Sequence, residues 1–245
     1  MKEMEKNIQS ESSVNQIVDG LKQLMIDRKL KVGDRLPSEF ELSDIFGKSR
    51  GSIREAIKIL VSYGVLEIRR GDGTYVSTTI GSGVFDALFF QVVAMGTDIS
   101  ELIQLREILE NGIVKAIIDR DNDDYLVEVF RIQAQLEAKI KCGVNINELV
   151  ETDLLLHRKL AMAAHNALLE KVYGFTLDIF EPLIRYSYIM QSTSSEYSVQ
   201  FKHATILQAL EEHDYDLGRY AIRQSLKDWL RLNELYRQKT DSENS

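Results

Sequence analysis

The 245-residue sequence predicts a mainly α protein in two parts. Three short helices closed by a two-stranded hairpin fill the first eighty residues, and an all-α antiparallel helical bundle follows. Three observations carry this. Apolar residues recur at helical spacing from Val14 onward. The period breaks at "VLEIRRGDGTYVST", residues 65–78, which reads as strand, Gly-rich turn and strand. From Val84 to about Lys239 no strand pattern returns.

The first helix is expected over residues 14–28, where Val14, Ile17, Val18, Leu21, Leu24 and Met25 share one face after Ser12-Ser13 as caps. "KVGDRLPS" is a turn-bearing connection. In "SEFELSDIFG", Ser38 with Glu41 three residues on is a capping-box pattern; Leu42, Ile45 and Phe46 form its buried stripe, and Gly47 ends it. "KSRGSIREAIKILVSYG" turns Ile53, Ala56, Ile57, Leu60 and Val61 inward and closes at Gly64. Gly71-Asp72-Gly73 tips the hairpin. Helix, helix, short turn, helix, hairpin is a winged helix-turn-helix with a two-stranded wing.

Residues 12–79 form that unit, behind a flexible tail over 1–11. Residues 80–83, within the Thr/Ser/Gly stretch "STTIGSG", are the linker. Residues 84–240 make the helical domain, with helices near 84–95, 99–120, 123–141, 146–164, 167–191, 196–212 and 214–238, and 241–245 is a second tail. Breaks fall at Gly96-Thr97, Asp121–Asp123, Gly143, His165-Asn166, Gln191–Ser195 and His213.

Charge narrows the function. The formal net charge of −8 argues against a polyanionic partner, but its distribution does not. Residues 1–80 hold 13 Lys and Arg against 12 Asp and Glu, the remainder 17 against 26. Residues 48–73 carry six basic side chains (Lys48, Arg50, Arg54, Lys58, Arg69, Arg70) against three acidic ones. A basic patch confined to one element of an acidic protein fits a local contact with nucleic acid. No apolar run reaches 18 residues, which excludes a membrane span. The charged start "MKEMEKNIQSESS" is expected to be no signal peptide. The lone Cys142 fits a reducing cytoplasm and no internal disulfide.

Arg50 and Arg54 lie one turn apart on the outer face of the third helix, which a winged helix-turn-helix lays in the DNA major groove. A guanidinium matches guanine O6 and N7 bidentately. Gly51 and Ser52 keep that surface low. Arg70 at the wing tip would reach the minor groove, with glycine permitting close approach. The bland alternative is a solvated arginine pair held by local acids.

At this point "LPSEFELSDIFGKSRGSIREAIKILVSYGVLEIRRGDGTYV" resembles the DNA-binding domain of GntR-superfamily transcriptional regulators. The helical remainder is similar to the FCD effector domain of the FadR-like branch, through "LIQLREILE" (102–110), "DLLLHRKLAMAAHN" (153–166) and "HATILQALEEHD" (203–214). The resemblance implies DNA contacts by Ser49, Arg50, Gly51, Ser52 and Arg54, and by Arg70 and Gly71 of the wing. One position departs: the family commonly has arginine after "PSE", where this chain has Phe40.

Asp153 and His157 are four apart, so a carboxylate oxygen and an imidazole nitrogen can converge on one cation. The same spacing also dresses ordinary helix surfaces. The resemblance adds His203 as a third ligand to a divalent metal, zinc or nickel, and implies a fourth histidine where this chain has Ser225. A neutral hydroxyl is a poor donor beside imidazole, so three protein ligands with open positions are expected. The alternative is a metal-free polar pocket. Arg106 matches an arginine that faces the effector cavity, and would hold a small carboxylate or sugar acid; by spacing it could instead pair with Glu110. Arg185 is a second effector candidate. His165 and His213 sit at helix ends.

The resulting expectation is a ligand-responsive cytoplasmic repressor, with a double-stranded DNA operator, a homodimeric assembly and a small organic-acid effector as partners. Two other classes compete with it. A helical metal hydrolase lacks a recognisable nucleophile and general base beside the ligand pair. A ligand-blind architectural DNA binder would take up no acid.

Overall fold

Capping side chains set the helix starts of the first unit. Ser12 accepts a hydrogen bond from the Asn15 amide at 3.1 Å and opens α1, Ser13–Ile26. Ser38 and Glu41 cap each other's backbone at the start of α2, Glu39–Phe46, as the sequence pattern predicts. Gly47 ends α2 in the left-handed region at φ 61°, a conformation that side chains with a Cβ rarely adopt. Ser49 caps α3, Arg50–Ser62, by accepting from the Ser52 amide. The computed structural model describes residues 12–96, 98–120, 126–193 and 199–243. The chain divides into two units between Leu88 and Phe89.

In the first unit, Ile17 and Leu21 of α1, Leu42 of α2, and Ile53, Ala56, Ile57 and Leu60 of α3 close one apolar core. The wing, β1 (Leu66–Arg69) and β2 (Gly73–Val76), is an antiparallel pair with Leu66 opposite Val76 and Arg69 opposite Gly73. Leu66 and Val76 anchor it in the same core. Two findings differ from the sequence reading. Ile45, expected inside, is 62% exposed, and Phe46 is half-buried, leaving Leu42 as the inward anchor of α2. The connection before α2 does more than turn: Leu36 donates to Thr74 and Val76 donates to Asp34, so residues 34–36 run along the outer edge of β2. That pairing is too short to show as alternation.

The linker lies against the end of α3. A Cβ added to Gly83 would sit 1.8 Å from the Ser62 carbonyl oxygen, and one on Gly81 would sit 2.5 Å from the Gly64 Cα. Only glycine allows the two backbones this close. The next helix, α4 (Gly83–Met95), is strongly apolar yet buries no residue fully; Phe90 is 69% exposed. Val92 packs on the core of the second unit.

That second unit consists of α5 (Ile99–Ile118), α6 (Leu126–Cys142), α7 (Ile146–Ala163), α8 (Ala167–Thr193), α9 (Val199–Glu211) and α10 (Tyr215–Glu243). The expected starts near 123 and 196, the linking segments beside them and the tail over 1–11 lie outside the described residues. The last helix runs into the stretch read as a tail, through residue 243. Chain neighbours α6 and α7, α7 and α8, and α9 and α10 pack on one another, and α5 packs on α10, α8 and α7. Ile132, Leu136, Leu156, Leu177, Phe180 and Ile222 are completely buried between them. α5 also packs on α9 and is thereby the element through which residues from four other helices can meet. No described helix is long and apolar enough to cross a membrane.

Candidate functional site

Two constellations stand out, one in each unit. On the first, Arg50 is exposed at the start of α3, and its side chain makes no hydrogen bond or ion pair with another described residue. Arg54, one turn on, is exposed but held: its Nε donates to Glu39 Oε1 at 3.1 Å and its Nη2 to Glu39 Oε2 at 2.7 Å. That hydrogen-bonded fork holds the Glu39 carboxyl below its ordinary range against the opposing effect of burial, with lesser help from the charges of Arg54, Arg50 and Lys58. Ser49 and Ser52 are partly spent on the helix cap, their hydroxyls 2.9 Å apart. Gly51 is exposed beside them. On the wing, Arg69 pairs with Glu67 and lies over the Tyr75 ring at 4.0 Å. Arg70 is exposed and has no ion-pair partner among the described residues. Gly71 holds the tip turn at φ 75°, with open space where a Cβ would stand. Arg35 donates to the Asp72 carbonyl and so fastens the tip to the connection before α2. A groove of about 480 Å³ runs between α3 and the wing, walled by Glu39, Arg54, Lys58 and Arg70. Phe40, at the position where the resemblance commonly implies arginine, is 63% exposed.

The second constellation is buried. Asp153 and His157 of α7 and His203 of α9 bring one donor atom each within 4.8 Å of one another. Asp153 Oδ1 lies 3.5 Å from His203 Nε2, and Asp153 Oδ2 lies 4.0 Å from His157 Nε2. From α5, Arg106 donates through Nε to Glu110 Oε1 at 2.7 Å, and its Nη2 stands 3.4 Å from His157 Nε2. Tyr173 of α8 donates to Glu110 at 2.7 Å, with His157 Nδ1 2.9 Å from the same hydroxyl. Tyr188 donates to Asp153 at 3.2 Å.

These contacts select a tautomer. A guanidinium can only donate, so His157 Nε2 accepts from it. The imidazole proton then sits on Nδ1 and is given to the Tyr173 oxygen, whose own proton goes to Glu110. Burial pushes the His157 pKa down to about 3, helped by Arg106 and His203 and opposed by Asp153, so the ring is neutral. Arg106 stays charged: burial opposes the charge, but Glu110, Tyr173 and Asp153 together outweigh it and raise the pKa. The guanidinium also lies 5.1 Å from each of the Phe180 and Trp229 ring centres.

The donor set suits a divalent cation. A carboxylate, an unprotonated imidazole nitrogen that would exchange its hydrogen bond from Arg106 for the cation, and a second imidazole are the mixed N and O ligands that zinc or nickel accepts. Ser225 lies on α10 one turn before Trp229, partly buried. Beside the trio, Arg106 Nη1 is buried without a hydrogen-bond partner among the described residues. A buried donor left open on a charged group calls for an anionic acceptor.

Of the two alternatives for Arg106, the Glu110 pair is present, and the side chain still reaches the cluster. Arg185 is not brought there. It pairs with Glu181 at 2.8 Å and with Asn147, because one position beyond buried Ile184 turns it about 100° round the helix. Spacing within one helix could not reveal Glu39, Tyr173 or Tyr188, which meet their partners from other helices. The place of Glu39 in the first turn of α2, where an acidic side chain is common, accounts for its carboxylate without Arg54, so it carried no separate signal.

Comparison with known proteins agrees with this division. The family of bacterial regulatory proteins named gntR matches residues 13–76, and the FCD domain matches residues 101–228. YcbG of Bacillus subtilis strain 168, an uncharacterized HTH-type transcriptional regulator, is 28% identical over 214 residues, 86% of each chain. LutR of the same organism, an HTH-type transcriptional regulator, is 26% identical over 174 residues, 70% of this chain and 77% of its own. A solved structure described as Streptococcus agalactiae GntR superposes with a TM-score of 0.59 at 26% identity, covering 89% of this chain and 99% of that one.

Proposed function

The chain belongs to the gntR family of bacterial regulatory proteins, and we propose that it is a ligand-responsive repressor that binds a pseudo-palindromic operator as a homodimer. DNA-binding transcriptional regulation, rather than catalysis, is what that membership establishes. Two half-sites require two recognition helices, and hence two copies of the chain. The operator faces are Ser49, Arg50, Gly51, Ser52 and Arg54 in the major groove, with Arg70 and Gly71 of the wing at the minor groove. Repression follows if the bound dimer covers promoter DNA. Its place of action is the cytoplasm, with the chromosome.

The observation that carries the sensing role is the buried Arg106, whose open Nη1 stands beside an acceptor-lined trio. Asp153, His157 and His203 would hold a divalent metal, which when bound supplies open coordination positions for an effector carboxylate. Arg106 would take the same carboxylate as a charged, bidentate donor, and Phe180 and Trp229 fix its plane. The effector class is therefore a small organic or sugar acid. It releases or strengthens the operator complex only by the ratio of its affinities for the two arrangements of the protein.

A gel-shift titration with operator DNA tests the first half. Arg50→Ala and Arg54→Ala should each weaken binding by about tenfold or more, with thermal melting unchanged. Calorimetric titration with a panel of organic and sugar acids tests the second. If every acid is ignored while operator binding is intact, the protein is a ligand-blind DNA binder.

A further inference from the structure

Glu39 sets a negative charge in the middle of a cationic face. Its carboxylate lies against Arg54, within the fields of Arg50 and Lys58, and lines the groove between α3 and the wing. DNA phosphates would be repelled by it, so on electrostatic grounds it should weaken every complex. It is also not needed to start α2, since that cap is the Ser38–Glu41 box.

The geometry of its fork supplies a reason. An arginine has five N–H donors, one on Nε and two on each terminal nitrogen. Glu39 engages Nε and one proton of Nη2. Both Nη1 protons and the second Nη2 proton remain, on the edge directed away from the carboxylate. That edge has the spacing that pairs with guanine O6 and N7. We propose that Glu39 is a positioning residue for recognition: it clamps Arg54 so that the guanidinium meets a base edge instead of a phosphate, trading affinity for sequence discrimination. This rests on Arg54 contacting operator DNA, as proposed above. Arg50, exposed and without such a clamp, is the internal contrast.

The test uses full-length protein and two duplexes of equal length: one selected by the wild type from a random-sequence library, the other unrelated. Binding is measured by fluorescence anisotropy across a salt series. Glu39→Ala should tighten binding to the unrelated duplex by about two- to fivefold, as a like charge is removed. The ratio of operator to unrelated affinity should fall about fivefold or more, because a free arginine reads the base poorly. On the operator, the slope of log K against log salt should steepen by up to about 0.9 as Arg54 takes a phosphate. Glu39→Gln, which keeps one acceptor without the charge, should fall between. An equal change on both duplexes would show a purely electrostatic or structural role and overturn the proposal. Arg54→Ala separates the two readings. If it weakens operator binding while Glu39→Ala leaves the ratio intact, only the clamp fails; if it binds as the wild type does, Arg54's operator contact fails and the clamp with it.

Discussion

Two of the arginine–carboxylate pairs among the described residues have similar bonds and opposite surroundings. Arg54 and Glu39 meet at 2.7 Å on the surface of the first unit, with the arginine side chain 56% exposed. Arg106 and Glu110 meet at the same 2.7 Å inside the second, with the arginine 2% exposed. In water an ion pair adds little to stability, because solvent serves both ions well when they part. Its value is geometric, and it can be given up when DNA arrives. In the interior neither ion has a substitute partner, so the pair, Tyr173, His157 and Asp153 depend on one another. The surface pair suits selection among ligands, and the buried one suits a site built before its ligand comes.

The sharpest way to break the comparison is to remove one carboxylate from each. Glu110→Ala leaves a guanidinium buried without its counter-charge and should cost about 3–5 kcal/mol, read from urea denaturation. Glu39→Ala should leave the denaturation midpoint in place. Equal losses would mean that burial does not divide these pairs.

A smaller effect concerns the fourth position of the cluster. Ser225 and Trp229 share a face of α10, and the Trp229 ring lies beside Arg106. Ser225→His should add a strong nitrogen donor and raise divalent-metal affinity, while His157→Ala should abolish it, both measured by competition with a chromophoric chelator. Should wild type and Ser225→His both take up no metal, the cluster is a polar pocket for the acid alone.

The smallest effect is in pH. The folded His157 pKa lies near 3, below the ordinary 6.5. Between those values the unfolded chain binds the proton and the folded one does not. Stability from this residue is therefore complete above about pH 6.5 and is lost as pH falls towards 3. In chelator-treated protein, His157→Gln should flatten the stability profile across that window; a slope as steep as wild type would place the acid sensitivity elsewhere.

How much of this was legible follows from the range of each interaction. Local signals read well: the Ser38–Glu41 box, the Gly47 stop, the change of period at the wing and the Asp153–His157 spacing all lie within a turn or a strand. His203 was reached through resemblance, not spacing. Glu39 was invisible as a partner because fifteen residues separate it from Arg54, and Tyr173 and Tyr188 carry no pattern of their own, since they reach the cluster from a different helix than Asp153 and His157. Ile45 shows the opposite error. Its spacing suits a buried face, but α2 is only two turns long and Leu42 fills the available core.

The stretch "STTIGSG" has the composition of a loose tether, yet its glycines are where two main chains touch. Gly83 stands against the Ser62 carbonyl and Gly81 against Gly64, at the far end of the helix that carries Arg50 and Arg54. A force entering at the start of α4 would therefore pass to α3 from backbone to backbone, without crossing a side chain. Such a coupling works like meshed teeth: changing nearby side chains cannot disengage it, and a single methyl group added at Gly83 would force the teeth apart.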